Sequence, residues 1–322
     1  MTDIAIAVAR GIQAPIPRID APPRGAPGQL LEGRFMARGG LRGYRLYVPA
    51  GVVAGAADTA QGPRRALPLV VMLHGCAQTP EDFAAGTRMN DAAREQGFLV
   101  LWPAQCGVAN AMRCWNWYQA PDQRRDAGEA GLLAGLVRHV MDTHPVDPAR
   151  VYVAGLSAGG AMAAVMGAAY PDLFAAVGVH SGVGPGAAQD FAGAMVVMRD
   201  GPAMASDAAP LPAPALPPLI VFHGDADDVV HPANGAHLAE GAGGGGCCAR
   251  CAAGRERQGR RYTRARHHDR AGRVVAEHWS IHGAGHAWSG GSAQGSFTDP
   301  SGPSATDAML RFFFAHTLHC DA

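Results

Sequence analysis

Residues 151–170 read VYVAGLSAGGAMAAVMGAAY, and no other stretch of the 322-residue chain constrains its fold as strongly. VYVA is apolar and β-branched, as a buried strand requires, and AMAAVMGAAY is an Ala- and Met-rich helix former. Between them Gly155-Leu156-Ser157-Ala158-Gly159 fits G-x-S-x-G, a strand-to-helix elbow whose small flanking residues lift a serine hydroxyl above the carboxyl end of a sheet. The alternative is a glycine-rich turn with a passive serine. A strand before and a helix after favour the elbow.

The rest of the chain supplies the sheet that such an elbow needs. Strand signals fall at Leu41–Pro49, 67–75 (LPLVVMLHG), 98–103 (FLVLWP), 174–182, 217–227 (PPLIVFHGDAD) and 274–286 (VVAEHWSIHGAGH). Helical periodicity runs from Glu81 to about Gln96, from Asp126 to about His144 and over about 303–318. Strands alternating with helices predict an α/β-hydrolase fold, a mostly parallel central sheet with helices on both faces and ligands at the carboxyl ends of the strands. Residues 1–33, rich in Pro, Ala and Gly, read as an extended arm, and 34–322 as a single catalytic domain with loop or cap insertions at about 183–216 and 241–258.

Ser is a weak nucleophile unless a histidine, itself oriented by a carboxylate, takes its proton. The chain offers both in the order Ser, acid, His. His223-Gly224-Asp225-Ala226-Asp227-Asp228 places three carboxylates just past a strand, of which Asp227 is the expected acid by its spacing from His223-Gly224 and Val230. Asp225 and Asp228 read as solvated turn residues, with Asp228 the alternative acid. His286 follows a small-residue loop and is the expected base, with His282 and His278 as alternatives. A developing oxyanion needs two fixed N–H donors. These are expected from Ala158, at the helix start, and from Cys76 in the loop His74-Gly75-Cys76-Ala77, through its backbone and not its thiol. Trp115, Trp117 and Trp288 are expected to line the substrate pocket, although most aromatics in such a chain are core.

Five segments in order, LHGCAQTPEDF (73–83), CWNWY (114–118), GLSAGGAMA (155–163), FHGDADDVVHPANG (222–235) and HGAGHAWSGGS (282–292), resemble the poly(3-hydroxybutyrate) depolymerase family of esterases, related to feruloyl and acetylxylan esterases. The resemblance covers roughly residues 40–318. It implies an ester hydrolase with Ser157, Asp227 and His286 as triad and Cys76 and Ala158 as oxyanion hole, acting without cofactor or metal on a small or oligomeric ester. It also implies an extracellular protein. Against that, MTDIAIAVARGIQAPIPR lacks the basic n-region and long h-region of a secretory signal, which leaves a cytoplasmic location open. The signal, linker and adsorbing domain usual in extracellular depolymerases are not read in this sequence, so hydroxyacid oligomers are the expected substrate ahead of crystalline polymer.

Other functions find less support. Lys+Arg and Asp+Glu balance at 27 each, so no net field favours nucleic acid or an anionic membrane, and no apolar run reaches the roughly 20 residues of a membrane helix. The run at 241–246 formally satisfies G-x-G-x-x-G but follows no strand, so a dinucleotide role is not supported. Cys247, Cys248 and Cys251, with His267 and His268, lack the paired spacing of a zinc ribbon. Cys106 and Cys114 flank a short loop and are the expected disulfide in an oxidising compartment. A catalytically dead binding module would normally carry a lesion in the triad, and none is seen. A peptidase of the same fold is the nearest rival, because fold does not choose the leaving group.

Overall fold

The computed structural model describes residues 27–37, 40–52, 66–202, 216–242, 248–256 and 259–318. A ten-stranded sheet runs through them. In chain order the strands are β1 (Gln29–Ala37), β2 (Gly40–Val48), β3 (Leu67–Leu73), β4 (Leu99–Ala104), β5 (Val146–Leu156), β6 (Ala176–His180), β7 (Leu219–Gly224), β8 (Cys248–Arg255), β9 (Arg261–His268) and β10 (Val274–Ile281). Their spatial order is β1-β2-β4-β3-β5-β6-β7-β10-β9-β8. The six central strands from β4 to β10 are parallel, and antiparallel ribbons close both sides. Every residue of β3 and β7 is buried, as expected for parallel strands covered on both faces.

Helices α3 (Gly128–Thr143), α4 (Ala158–Ala169), α5 (Phe191–Asp200) and α6 (Ala233–Ala242) cover one face, where Leu133, Val137, Met162 and Val165 meet Val71, Val153 and Val179. On the other, α1 (Pro80–Thr87), α2 (Met89–Gln96) and α7 (Ala305–Phe313) bring Phe83, Met89, Met309 and Phe313 against Val70, Tyr152 and Phe222. This is the α/β-hydrolase fold.

Several expected boundaries move. The folded unit begins with β1 at Gln29, inside the expected arm, because Gln29–Ala37 pairs along its full length with β2. The single helix expected over 81–96 is two, broken at Arg88, whose left-handed φ of 56° ends α1 while Thr87 Oγ1 accepts from Met89 N–H. The last helix stops at Phe313. The insertions are more ordered than expected: 183–216 contains α5, and 241–258 contains β8, which extends the sheet. Residues 203–215 and 243–247, including Cys247, lie outside the described residues.

Candidate active site

The elbow is held by contact distances that only glycine meets. A Cβ on Gly159 would lie 2.0 Å from the Leu73 carbonyl oxygen, and one on Gly155 2.3 Å from the Gly159 backbone. β5 and α4 can therefore approach closely enough to drive Ser157 to φ 58°, ψ −122°, a conformation that a side chain rarely adopts. Its N–H is tied to the His180 carbonyl at 2.9 Å. The elbow thus sits between the ends of β5 and β6.

Past the end of β7 the chain turns and buries Asp227. Its Oδ1 accepts from the N–H groups of Val229 (3.0 Å) and Val230 (2.9 Å), and its Oδ2 lies 2.8 Å from His286 Nδ1. His223 Nε2 stands 3.4 Å from the same oxygen. Burial alone would raise the Asp227 carboxyl, but hydrogen bonds with His223 and His286 outweigh it and hold the group well below the usual carboxylate range. Asp225 is exposed and pairs instead with His282 Nδ1 (2.8 Å) and the Gly283 N–H (2.6 Å), and Asp228 is also exposed. His278 lies on β10, with a buried Nε2 that meets no partner among the described residues.

In the loop after β3 three of four consecutive N–H groups are occupied. Gly75 N–H donates to Gln78 Oε1 (2.8 Å), Ala77 N–H to the Met112 carbonyl (2.8 Å) and Gln78 N–H to the Gly75 carbonyl (3.3 Å). The fourth, that of Cys76, has no acceptor among the described residues. Ala158 is the first residue of α4, where a helix has no internal acceptor for its N–H. Both residues line one cavity with Ser157.

The Cys76 sulfur is not free. It is bridged to Cys114, not Cys106, so the pairing expected from the sequence is corrected: Cys106 is an exposed thiol, and the bridge joins the loop after β3 to the aromatic loop. That loop rests on a buried polar network that sequence reasoning missed. Arg42 on β2 pairs with Glu129 on α3 at 3.1 Å. Glu129 Oε2 accepts from the Asn116 N–H (2.7 Å), and Gln105 donates both to Glu129 and to the Cys114 carbonyl. Arg42 and Glu129 stand 87 residues apart with no motif around either. Each element carries further charges, Arg45 on β2 and Arg138 and Asp142 on α3, so nothing in the sequence singled out this pair.

Of the three expected pocket tryptophans, Trp117 lines the cavity. Trp115 is fully buried beneath it, its Nε1–H donating to the His74 carbonyl (2.9 Å) and Arg42 over its ring. Trp288 is also core: it stacks on His180, meets Phe83 edge-on and donates to Thr306 Oγ1 (3.1 Å). Nearness in sequence to His286 misled here, because the chain passes through the core one residue beyond the histidine loop.

The model of the family described as Esterase PHB depolymerase matches residues 41–251. The chain belongs to that family. It is 35% identical over 197 residues to poly(3-hydroxyalkanoate) depolymerase C of Paucimonas lemoignei, covering 58% of this chain and 44% of that protein. Over 123 residues it is 34% identical to feruloyl esterase B of Thermothelomyces thermophilus, covering 38% of this chain and 41% of that protein. The chain thus spans less than half the length of these curated relatives. Among solved structures, an acetyl xylan esterase from Aspergillus awamori superposes with a TM-score of 0.65 over 89% of this chain and 99% of that one, at 18% identity, a likeness of fold.

Proposed function

We propose that this chain is a serine carboxylic-ester hydrolase working through an acyl-enzyme. Ser157 attacks the ester carbonyl carbon, and His286 Nε2 takes the hydroxyl proton as the new C–O bond forms. Asp227 accepts from Nδ1–H, which fixes the tautomer and balances the imidazolium. The carbonyl oxygen, now negative, is stabilised by the N–H groups of Ala158 and Cys76. Collapse expels the alcohol, which takes the proton from His286; water then repeats the sequence and releases the acid. The observation that carries this reading is the Asp227–His286 hydrogen bond at 2.8 Å, with Asp227 buried, Asp225 exposed and paired with His282, and Asp228 exposed.

The substrate we favour is a short aliphatic hydroxyacid oligomer of the 3-hydroxybutyrate kind, in keeping with the depolymerase relatives. Acetylxylan and feruloyl esters are the runner-up, since relatives and a structural neighbour carry those names. A peptidase is less supported because, among the described residues, no charged side chain lines the cavity to hold a peptide terminus. The deciding experiment is initial rates on hydroxybutyrate dimers and trimers, methyl ferulate and acetylated xylan, with fluorophosphonate labelling of wild type and Ser157→Ala. Labelling that survives Ser157→Ala unchanged would overturn the mechanism. Turnover confined to ferulate or xylan would overturn the substrate.

A further inference from the structure

Helix α5 lies in a segment expected to be loop, and its sequence FAGAMVVMRD is organised oddly for a surface helix. Phe191, Met195 and Val196 are 64%, 50% and 53% exposed, whereas the small Ala194 is buried. The four residues that line the cavity beside Ser157 are Phe191, Ala194, Met195 and Met198, spaced i, i+3, i+4 and i+7. They form one stripe on one face of the helix. An apolar stripe with a single small residue in its middle has a notch, and Ala194 is that notch.

The helix is fixed at both ends to parts of the site. Asp190 caps its start by accepting from Gly193 N–H (2.7 Å), and Gln123 donates to the Ala188 carbonyl (2.8 Å). At the other end the Met198 carbonyl accepts from His231 N–H (2.7 Å) and the Val197 carbonyl from Asn234 Nδ2 (2.8 Å), both just past the Asp227 turn. The stripe is therefore held in register with the acid turn. The same cavity is lined by Met112, Trp117, the Cys76–Cys114 bridge, Ala161 of α4, and Tyr118, whose ring meets that of Phe191 edge-on.

The cavity measures about 190 Å³. Among the described residues no charged side chain borders it, and the amide of Asn110 is committed: its Oδ1 accepts from Met112 N–H (3.0 Å) and Cys114 N–H (3.3 Å), and its Nδ2 donates to Asn116 Oδ1 (3.0 Å). A charged or polyhydroxylated group entering here would lose its water with few partners in return. An alkyl chain would not.

We infer that this cavity is the acyl pocket, that it takes an apolar acyl chain, and that α5 sets the chain length, with Ala194 the residue that leaves room for it. The inference rests on the ester-hydrolase reading above and adds to it which side of the ester is measured, and by what. A leucine at 194 fills the notch and shortens the pocket. Alanine at 195, where the native side chain is half exposed, lengthens or widens it without touching the core.

The test is the ratio of kcat/KM for p-nitrophenyl octanoate to that for p-nitrophenyl acetate. Ala194→Leu is expected to lower this ratio by about tenfold or more, since one or two methylenes in an apolar pocket discriminate by roughly 10–200-fold. Met195→Ala is expected to raise it or move the best chain to a longer one. Circular dichroism of each variant separates altered pocket from altered fold, and Met195→Ala keeps the question open to test should Ala194→Leu not fold. Ratios within twofold of wild type in every folded variant would overturn the assignment of α5. Wild type that neither hydrolyses any p-nitrophenyl ester nor labels with fluorophosphonate would overturn the underlying ester-hydrolase reading instead.

Discussion

Two acid–histidine pairs sit a few residues apart at the ends of the same strands, Asp227–His286 and Asp225–His282, and their hydrogen bonds are equal at 2.8 Å. They differ in surroundings. The Asp227 and His286 side chains are 0% and 9% exposed, against 42% and 37% for Asp225 and His282. Asp227 also spends its other oxygen on two backbone N–H groups of its own turn, so its direction is fixed. Asp225 binds the turn that carries Gly283, which braces the histidine loop from outside. Distance alone therefore does not separate the pair proposed as catalytic from its neighbour. Burial does, because a buried charge can orient an imidazole whereas an exposed one is screened by water.

The sharpest way to break this contrast is Asp227→Asn, which presents an amide donor where an acceptor is needed and leaves the imidazole in the wrong tautomer. Turnover is expected to fall by roughly three to four orders of magnitude with the fold intact, read from initial rates and circular dichroism. If Asp225→Asn produced the larger loss, the roles assigned to the two pairs would be reversed.

Burial should matter in the same way for the Arg42–Glu129 pair beneath the aromatic loop, whose side chains are 3% and 7% exposed. Replacing Glu129 by Gln leaves Arg42 buried without its counter-charge and is expected to cost about 3–5 kcal/mol in urea unfolding. A loss below about 1 kcal/mol would place this pair with exposed ones.

Opening the Cys76–Cys114 bridge by a Cys114→Ala, Cys76→Ala double substitution is expected to cost about 2–4 kcal/mol of stability. Because the bridge joins the loop bearing the Cys76 N–H to the pocket wall, kcat should fall more than fluorophosphonate labelling stoichiometry does. Unchanged kcat with reduced stability would show that the bridge braces the fold alone.

Acid should separate buried from exposed histidines. Burial lowers His180 to about 3 and His74 and His278 to about 4, from 6.5. Below 6.5 the unfolded chain takes up protons that these folded-state rings refuse, so the stability they allow is present above pH 6.5 and is lost progressively as pH falls towards 4 and 3. Melting temperature is expected to drop across that window, and less so in His180→Gln. A flat profile from pH 7 to 4.5 would contradict it. The smallest effect expected is that of Asp225→Asn itself, under about 1 kcal/mol in stability and within a few-fold in rate.

The legible parts of the molecule were those in which local sequence and tertiary role coincide. The elbow at 155–159 is one: each glycine is required by atoms within its own strand–turn–helix or in the neighbouring strand, so the pattern can be read without knowing the rest. The parallel strands are another, since being covered on both faces forces an unbroken apolar run such as LPLVVML. Asp227 and His286 were legible as candidates among three acids and three histidines at strand ends, and the structure brings those two within hydrogen-bond distance.

The remainder was decided by contacts between distant segments. Cys114 pairs with Cys76 because β3 and the aromatic loop meet over the Arg42–Glu129 network, whereas sequence proximity had favoured Cys106. Trp115 and Trp288 are core whereas Trp117 lines the cavity, a difference that only the packed structure fixes. β8 and α5 lie in Gly- and Ala-rich segments, and the apolar stripe of α5 spans only about two turns. β8 gains its backbone hydrogen bonds from β9, and α5 its position from the Asp227 turn and from Gln123, so neither is specified by its own residues alone. Sequence thus placed the candidate chemistry along the chain. Tertiary packing decided the shape of the cavity beside it, because a cavity wall is assembled from side chains that no local pattern brings together.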